Sequence, residues 1–304
     1  MVASATFAPA VAQTEHPQPG VDAARTRRAA VGATADCRFI EIDGLRFAYD
    51  DDGTDNGDVV VCLHAIGHGA GDFAEFRGRH RDRFRLIAID WPGHGRSADD
   101  RVPPSSARYG ELLAAMLDAL RLKRVILLGN SIGGAAALRV AALSPQHVRG
   151  VVAANPGGLV ADGLQKRLFT RAVAAFFARG VRGGALHRRA FAALYRRVLS
   201  EPPAAEQRAR IVATWQESAP LLAAAWRSFG EPTDDMSEQL ALISCPVLIT
   251  WSTGDRLNPL RMNRRGIARL AHGRLATFAG GHAPFLEVPL AFDAAFTRFV
   301  EALA

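Results

Sequence analysis

Five short apolar runs constrain the fold of this chain more than any other feature. They are Val59-Val60-Val61-Cys62-Leu63, Leu86-Ile87-Ala88-Ile89, Val125-Ile126-Leu127-Leu128, residues 148–153, and Val247-Leu248-Ile249-Thr250. Hardly any polar residue alternates within them, as expected of strands covered on both faces inside a parallel sheet. Helix-like stretches over 110–120, 132–143 and 259–270 separate several of the runs. Strand and helix in alternation imply right-handed βαβ units, so a mostly parallel sheet flanked by helices is expected. Ahead of the runs, Phe39-Ile40-Glu41-Ile42 and Leu45-Arg46-Phe47-Ala48-Tyr49 read as a hairpin about Asp43-Gly44. Residues 285–303 read as a final amphipathic helix.

The alternation stops between residues 157 and 240, where the pattern is helical, rich in arginine and cut by Pro202-Pro203, Pro220 and Pro232. An insertion placed between two core strands predicts a lid over the carboxyl edge of the sheet, where ligands of open α/β sheets bind. The expected core is thus residues 37–156 and 241–304, with a helical cap at 157–240. Residues 1–36 are rich in Ala, Pro, Gln and Thr and predict a disordered tail. Their short apolar piece from Phe7 to Ala12 follows no basic residue and is broken by Pro9, unlike a signal peptide.

Composition excludes several classes of function. In 304 residues no apolar run approaches the roughly 20 needed to cross a bilayer. Cys37, Cys62 and Cys245 have no metal-ligand spacing and make no even disulfide set, which predicts a reducing, cytoplasmic setting. The net charge of +7 is concentrated: from Lys166 to Arg210, eleven basic residues face only Glu201 and Glu206. Such a cluster suits an anionic substrate or a solvated helix face. It lacks the aromatic interleaving of a nucleic-acid surface.

The strongest chemical signal is Gly129-Asn130-Ser131-Ile132-Gly133-Gly134, which follows one apolar run and opens a helix. A nucleophile on a sharp strand-to-helix turn needs residues without a Cβ two places to each side, and Gly129 and Gly133 supply them. This spacing is the G-x-S-x-G elbow; the plain alternative is a glycine-rich turn with a capping serine. A serine hydroxyl needs a base. Among nine histidines, only His282 joins a late position to a loop setting, in Gly280-Gly281-His282-Ala283-Pro284. Asp255, in the loop after the run at Val247, is the candidate that orients this base; as a turn residue it would instead cap the helix near Pro259. An oxyanion needs N–H donors. The expected ones are the backbone of Ile132 and of Ile66, in His64-Ala65-Ile66-Gly67-His68-Gly69.

From Phe39 to Ala304 these residues resemble the α/β-hydrolase superfamily with a helical cap. Four signatures carry the likeness: the loop at His64, the turn Asp90-Trp91-Pro92-Gly93-His94-Gly95-Arg96-Ser97, the elbow at Ser131, and the acid and base loops. The resemblance implies an eight-stranded, mostly parallel sheet and a Ser131–His282–Asp255 triad working without metal or organic cofactor. It makes Asp90 and His94 structural turn residues, and Ser131 sets the aspartate-nucleophile branches aside. Ala65 stands where the family usually has glycine.

Two subfamilies pull on the substrate. His282-Ala283-Pro284-Phe285 looks like small carboxylesterases. Asn130, the His64-x-x-Gly67-x-Gly69 spacing and Asp255-Arg256 look like carbon–carbon hydrolases of ring meta-cleavage products. A serine hydrolase of small acyl esters is expected, with the carbon–carbon hydrolase as runner-up and a non-turnover receptor as the alternative of another class. The expected partner is a small acyl molecule, anionic if the arginines read it; a homodimer is left open, and neither nucleic acid nor membrane is expected. Phe169, Phe176, Phe177 and Phe191 are expected to fill the cap core rather than line its pocket.

Overall fold

The computed structural model describes residues 37–54 and 57–303; the tail expected over 1–36 lies outside them. The chain opens with the hairpin β1 (Cys37–Ile42) and β2 (Leu45–Asp51). Asp43 and Gly44 both take positive φ, 52° and 71°, the backbone that lets a two-residue turn follow the twist of its strands. Then follow β3 (Val59–Leu63), β4 (Arg85–Ile89), β5 (Val125–Asn130), β6 (Val148–Ala154), β7 (Val247–Ser252) and β8 (Gly273–Phe278).

These strands form one eight-stranded sheet in the order β1-β2-β4-β3-β5-β6-β7-β8. β1 and β2 run antiparallel to their neighbours, and every other pairing is parallel. All six residues of β5, near the centre, are buried. β8, at the edge, is largely exposed.

Helices cover the sheet: α1 (Ala74–His80), α2 (Ser106–Ala119) and α3 (Ile132–Leu143) precede the insertion, and α9 (Leu260–Ile267), α10 (Pro284–Glu287) and α11 (Pro289–Glu301) follow it. Two sequence expectations need correction. α2 starts earlier than residue 110, because the Ser105 hydroxyl accepts from Arg108 N–H at 3.0 Å and caps a helix beginning right after Pro103-Pro104. The single helix expected over 285–303 is two helices, since Val288 is non-helical and Pro289 cannot donate a helical hydrogen bond.

Between β6 and β7 the chain leaves the sheet and forms only helices: α4 (Leu164–Gly180), α5 (Ala185–Val198), α6 (Ala205–Ala213), α7 (Trp215–Ser228) and α8 (Ser237–Leu240), with short 3-10 turns. Polar ties fix them to the sheet layer. Arg139 on α3, 5% exposed, donates to Thr233 O, to Gln239 Oε1 at 2.9 Å and to Ser106 Oγ at 3.0 Å. Ser228 Oγ donates to Pro104 O at 2.7 Å. The arginines at 171, 179, 182, 188, 189, 196 and 197 are exposed, so most of the basic cluster is a solvated face.

Candidate active site

Ser131 sits at the turn from β5 into α3, with φ 56° and ψ −116°. The neighbouring glycines permit this turn. A Cβ on Gly129 would lie 2.4 Å from Gly133 O, and one on Gly133 would lie 2.3 Å from Leu63 O. Ser131 N–H donates to Ala154 O at 2.9 Å, which ties the turn to β6. Ile132 opens the helix, so its N–H has no partner one turn back, and the positive helix end faces the serine.

His282 and Asp255 meet as the sequence predicts. Nδ1–H of His282 donates to Asp255 Oδ2 at 2.6 Å, and the two residues are 9% and 6% exposed. This bond fixes the tautomer and leaves Nε2 as the nitrogen for the reacting group. Burial opposes charge on His282, but the Asp255 charge and hydrogen bond, with Glu287 behind them, outweigh it and raise its pKa above the ordinary imidazole value. Asp255 is also a turn residue, because its Oδ1 accepts from Leu257 N at 3.0 Å and Asn258 N at 2.9 Å. It closes the turn ahead of α9 but does not cap that helix, whose N-cap is Pro259 with no side-chain hydrogen bond, so the expected capping role is corrected.

Ser131, His282 and Ile66 line one small cavity of about 40 Å³. Its other walls are mostly apolar and come mainly from the insertion, at Phe177, Leu194, Leu222, Trp226 and Phe229. The four phenylalanines thus part company. Phe191 is fully buried in the insertion, Phe176 is half-buried with its ring 4.7 Å from that of His187, Phe177 is buried yet lines the chamber, and Phe169 is 44% exposed with its ring 5.8 Å from that of Trp226. The expectation that all four fill a core is corrected at Phe177, whose ring faces the site, and at Phe169, which lies at the surface.

The loop after β3 is pinned by two buried histidines. His64 Nδ1–H donates to its neighbour Ala65 O at 2.7 Å while Nε2 accepts from Trp91 N–H at 3.0 Å, and burial lowers its pKa. His94 Nε2 accepts from Gly67 N–H at 2.8 Å. Asp90 accepts from Ala70 N–H at 2.8 Å and from Arg96. These side chains hold the loop that carries Ile66, and none of them lines the chamber.

Sequence reasoning missed three supporting residues. Asn155, with φ 45°, donates Nδ2–H to Asp255 Oδ2 at 2.7 Å and accepts from Ser252 N–H at 3.1 Å. Glu287 accepts from Gly281 N–H at 2.9 Å, Ala283 N–H at 3.1 Å and Ser200 N–H at 2.6 Å, so it ties the His282 loop to the insertion. His68 lines the chamber, and its Nδ1–H donates to Asp72 Oδ2 at 2.6 Å. The partners lie far from one another in sequence or inside an apparently continuous helix; only the i, i+4 spacing of His68 and Asp72 was visible as a signal.

A sequence model of the Alpha/beta hydrolase family matches residues 60–295. This chain belongs to the alpha/beta hydrolase family. It is 30% identical over 268 residues to the pimeloyl-acyl-carrier-protein methyl ester esterase of Xanthomonas campestris pv. campestris, covering 82% of this chain and 97% of the esterase. It is 37% identical over 121 residues to a 2-hydroxy-6-oxononadienedioate/2-hydroxy-6-oxononatrienedioate hydrolase of Burkholderia vietnamiensis, covering 37% of this chain and 41% of that hydrolase. Among solved structures, a hydrolase from Pseudomonas aeruginosa superposes with a TM-score of 0.73 at 25% identity, covering 88% of this chain and 99% of that one. The hydrolase fold and the eight-stranded sheet are thus shown from sequence and structure alike.

Proposed function

We propose that this alpha/beta hydrolase is a serine esterase for small acyl esters, with the insertion as its cap. The observation that carries the reading is the 2.6 Å His282–Asp255 pair, whose histidine lines the same chamber as a serine on a strained elbow. In this reading Ser131 Oγ attacks the acyl carbonyl as His282 Nε2 takes its proton, and Asp255 and Asn155 keep the imidazole aligned. The N–H groups of Ile66 and Ile132 hold the oxyanion. His282 protonates the departing alcohol, and water, activated in the same way, frees the acid from the acyl-enzyme.

The apolar chamber supports an aliphatic or small aromatic acyl group. The match to the esterase, which spans nearly the whole of that protein, supports ester cleavage over carbon–carbon cleavage. Asn130, one residue that suggested the second chemistry, donates Nδ2–H to Ala154 O at 3.0 Å and His282 O at 2.9 Å, a framework role.

The test is fluorophosphonate labelling and turnover of p-nitrophenyl esters of rising chain length, in wild type and Ser131→Ala. Labelling and turnover should both vanish in the variant, with kcat down by roughly 10⁴ or more. Retained turnover would remove Ser131 from the mechanism. Rapid cleavage of a vinylogous 1,5-diketo acid with poor ester turnover would move the reaction to a carbon–carbon bond, and labelling without any turnover would favour a receptor.

A further inference from the structure

A second cavity, of about 100 Å³, lies against the chamber, between the loop after β3, the turn carrying Arg96, and helices α6 and α7. Adjacent residues face the two spaces in turn: Ile66 and Leu222 line the chamber, Gly67 and Leu221 the outer groove. His68 lines both. The partition is therefore about one residue thick. With Nδ1 given to Asp72, and Asp72 also accepting from Gln207 Nε2, His68 keeps Nε2 for whatever occupies these cavities.

The groove differs from the chamber in chemistry. Arg96 and Arg210 line it, and among the described residues Arg96 Nη1 and Arg210 Nε are buried without a hydrogen-bond partner. Arg96 is a fixed donor: its side chain is 8% exposed, with Nη2 on Asp50 at 2.8 Å and Nε on Asp90 at 3.2 Å. Arg210, its side chain 40% exposed, meets the exposed Glu206 at 3.6 Å. The carboxylates at the groove are already satisfied, Asp90 by Ala70 N–H and Arg96, and Asp72 by His68 and Gln207. Two guanidinium groups thus line one groove, each with a buried donor unfilled, and carboxylate is the group whose geometry suits guanidinium best. Gln207 Oε1, also buried and unpartnered, would suit a hydroxyl on the same ligand.

We propose that this groove is a carboxylate subsite, so that the substrate is an ester with one apolar arm and one arm ending in a carboxylate. The proposal rests on the esterase reading, which puts the reacting bond at Ser131. Water divides the acyl–oxygen bond into acid and alcohol, while the distal carboxylate stays ionised and takes no part.

The test separates the two readings by measuring binding apart from turnover. In Ser131→Ala, calorimetry should show monomethyl adipate binding at least tenfold tighter than methyl hexanoate. That ratio should collapse toward one in Ser131→Ala/Arg210→Gln and persist in Ser131→Ala/Arg189→Gln, where an exposed arginine of α5 is lost instead. Equal binding of acid and neutral ester, failure of both to bind, or equal effects of the two arginine substitutions would overturn the subsite. A binding preference without turnover of any ester would keep the subsite and remove the esterase reading. Ester turnover with no acid preference in binding would do the reverse. Comparing kcat/KM for monomethyl adipate and 4-acetoxybutanoate then shows which arm, acyl or alcohol, carries the carboxylate.

Discussion

A carboxylate taken out of water needs N–H donors in place of its hydration shell. Glu287, 1% exposed, finds them in the backbone of Gly281, Ala283, Ser200 and Glu201. One side chain thereby sets the path of the His282 loop, and its charge adds to that of Asp255 in raising the histidine pKa. The base works neutral, so activity should rise with pH through a value above the ordinary imidazole ~6.5. The sign for stability is opposite: a raised folded pKa stabilises the fold at acid pH, and that contribution fades as pH climbs from the ordinary value through the folded one. Glu287→Gln keeps the shape but turns an amide toward N–H donors. It should cost about 2–3 kcal/mol of stability, lower kcat and move the ascending limb of the pH–rate profile to lower pH. An unmoved limb with unchanged kcat would mean that Glu287 does nothing for the base.

Among the elements, the strand–elbow–helix unit tolerates least. Gly133→Ala would drive a Cβ to 2.3 Å from Leu63 O, backbone against backbone, so β3 or α3 must shift. A loss of at least about 2 kcal/mol and of fluorophosphonate labelling is expected. Gly78→Ala, inside α1 with nothing within 4 Å of the new Cβ, should instead stabilise by about 0.5–1 kcal/mol. Thermal melts of the two variants should move in opposite directions, and a shared direction would show that backbone crowding is not what the glycine relieves. Both glycines sit in plain view in the sequence, yet only the one near Ser131 announced a reason. The interior strands were legible because both of their faces are buried. β8 was legible only as a strand-like run ahead of the His282 loop, without bounds, since an edge strand reading Gly-Arg-Leu-Ala-Thr-Phe meets solvent and shows no continuous apolar stretch. The break at Pro289 was hidden because apolar residues continue on either side of it. Ser131, Asp255 and His282 were readable from local turn chemistry. Asn155, Glu287 and the unpartnered arginine atoms were not, because their meaning depends on which distant backbone groups face them.

Taken as a whole, the molecule couples the insertion to the sheet through buried groups rather than through a flexible hinge. Glu287 holds Ser200, His282 N–H donates to Val198 O at 2.7 Å, Gln207 meets Asp72, and Arg139 reaches Thr233 and Gln239. Each tie crosses from the insertion to an element that also frames Ser131 or His282, so releasing the insertion would strip N–H and carboxylate groups of their partners. The insertion and the sheet should therefore unfold together. The tryptophans divide conveniently: Trp91 and Trp251 are buried in the sheet layer, and Trp215 and Trp226 belong to the insertion. In Trp215→Phe/Trp226→Phe, fluorescence reports the sheet layer alone, while far-UV circular dichroism also follows the insertion helices. Coincident denaturant transitions by the two probes are expected, with a single slope. A circular-dichroism loss at lower denaturant than the fluorescence change would show that the insertion melts first, leaving the His282 loop without its anchor while the sheet still stands.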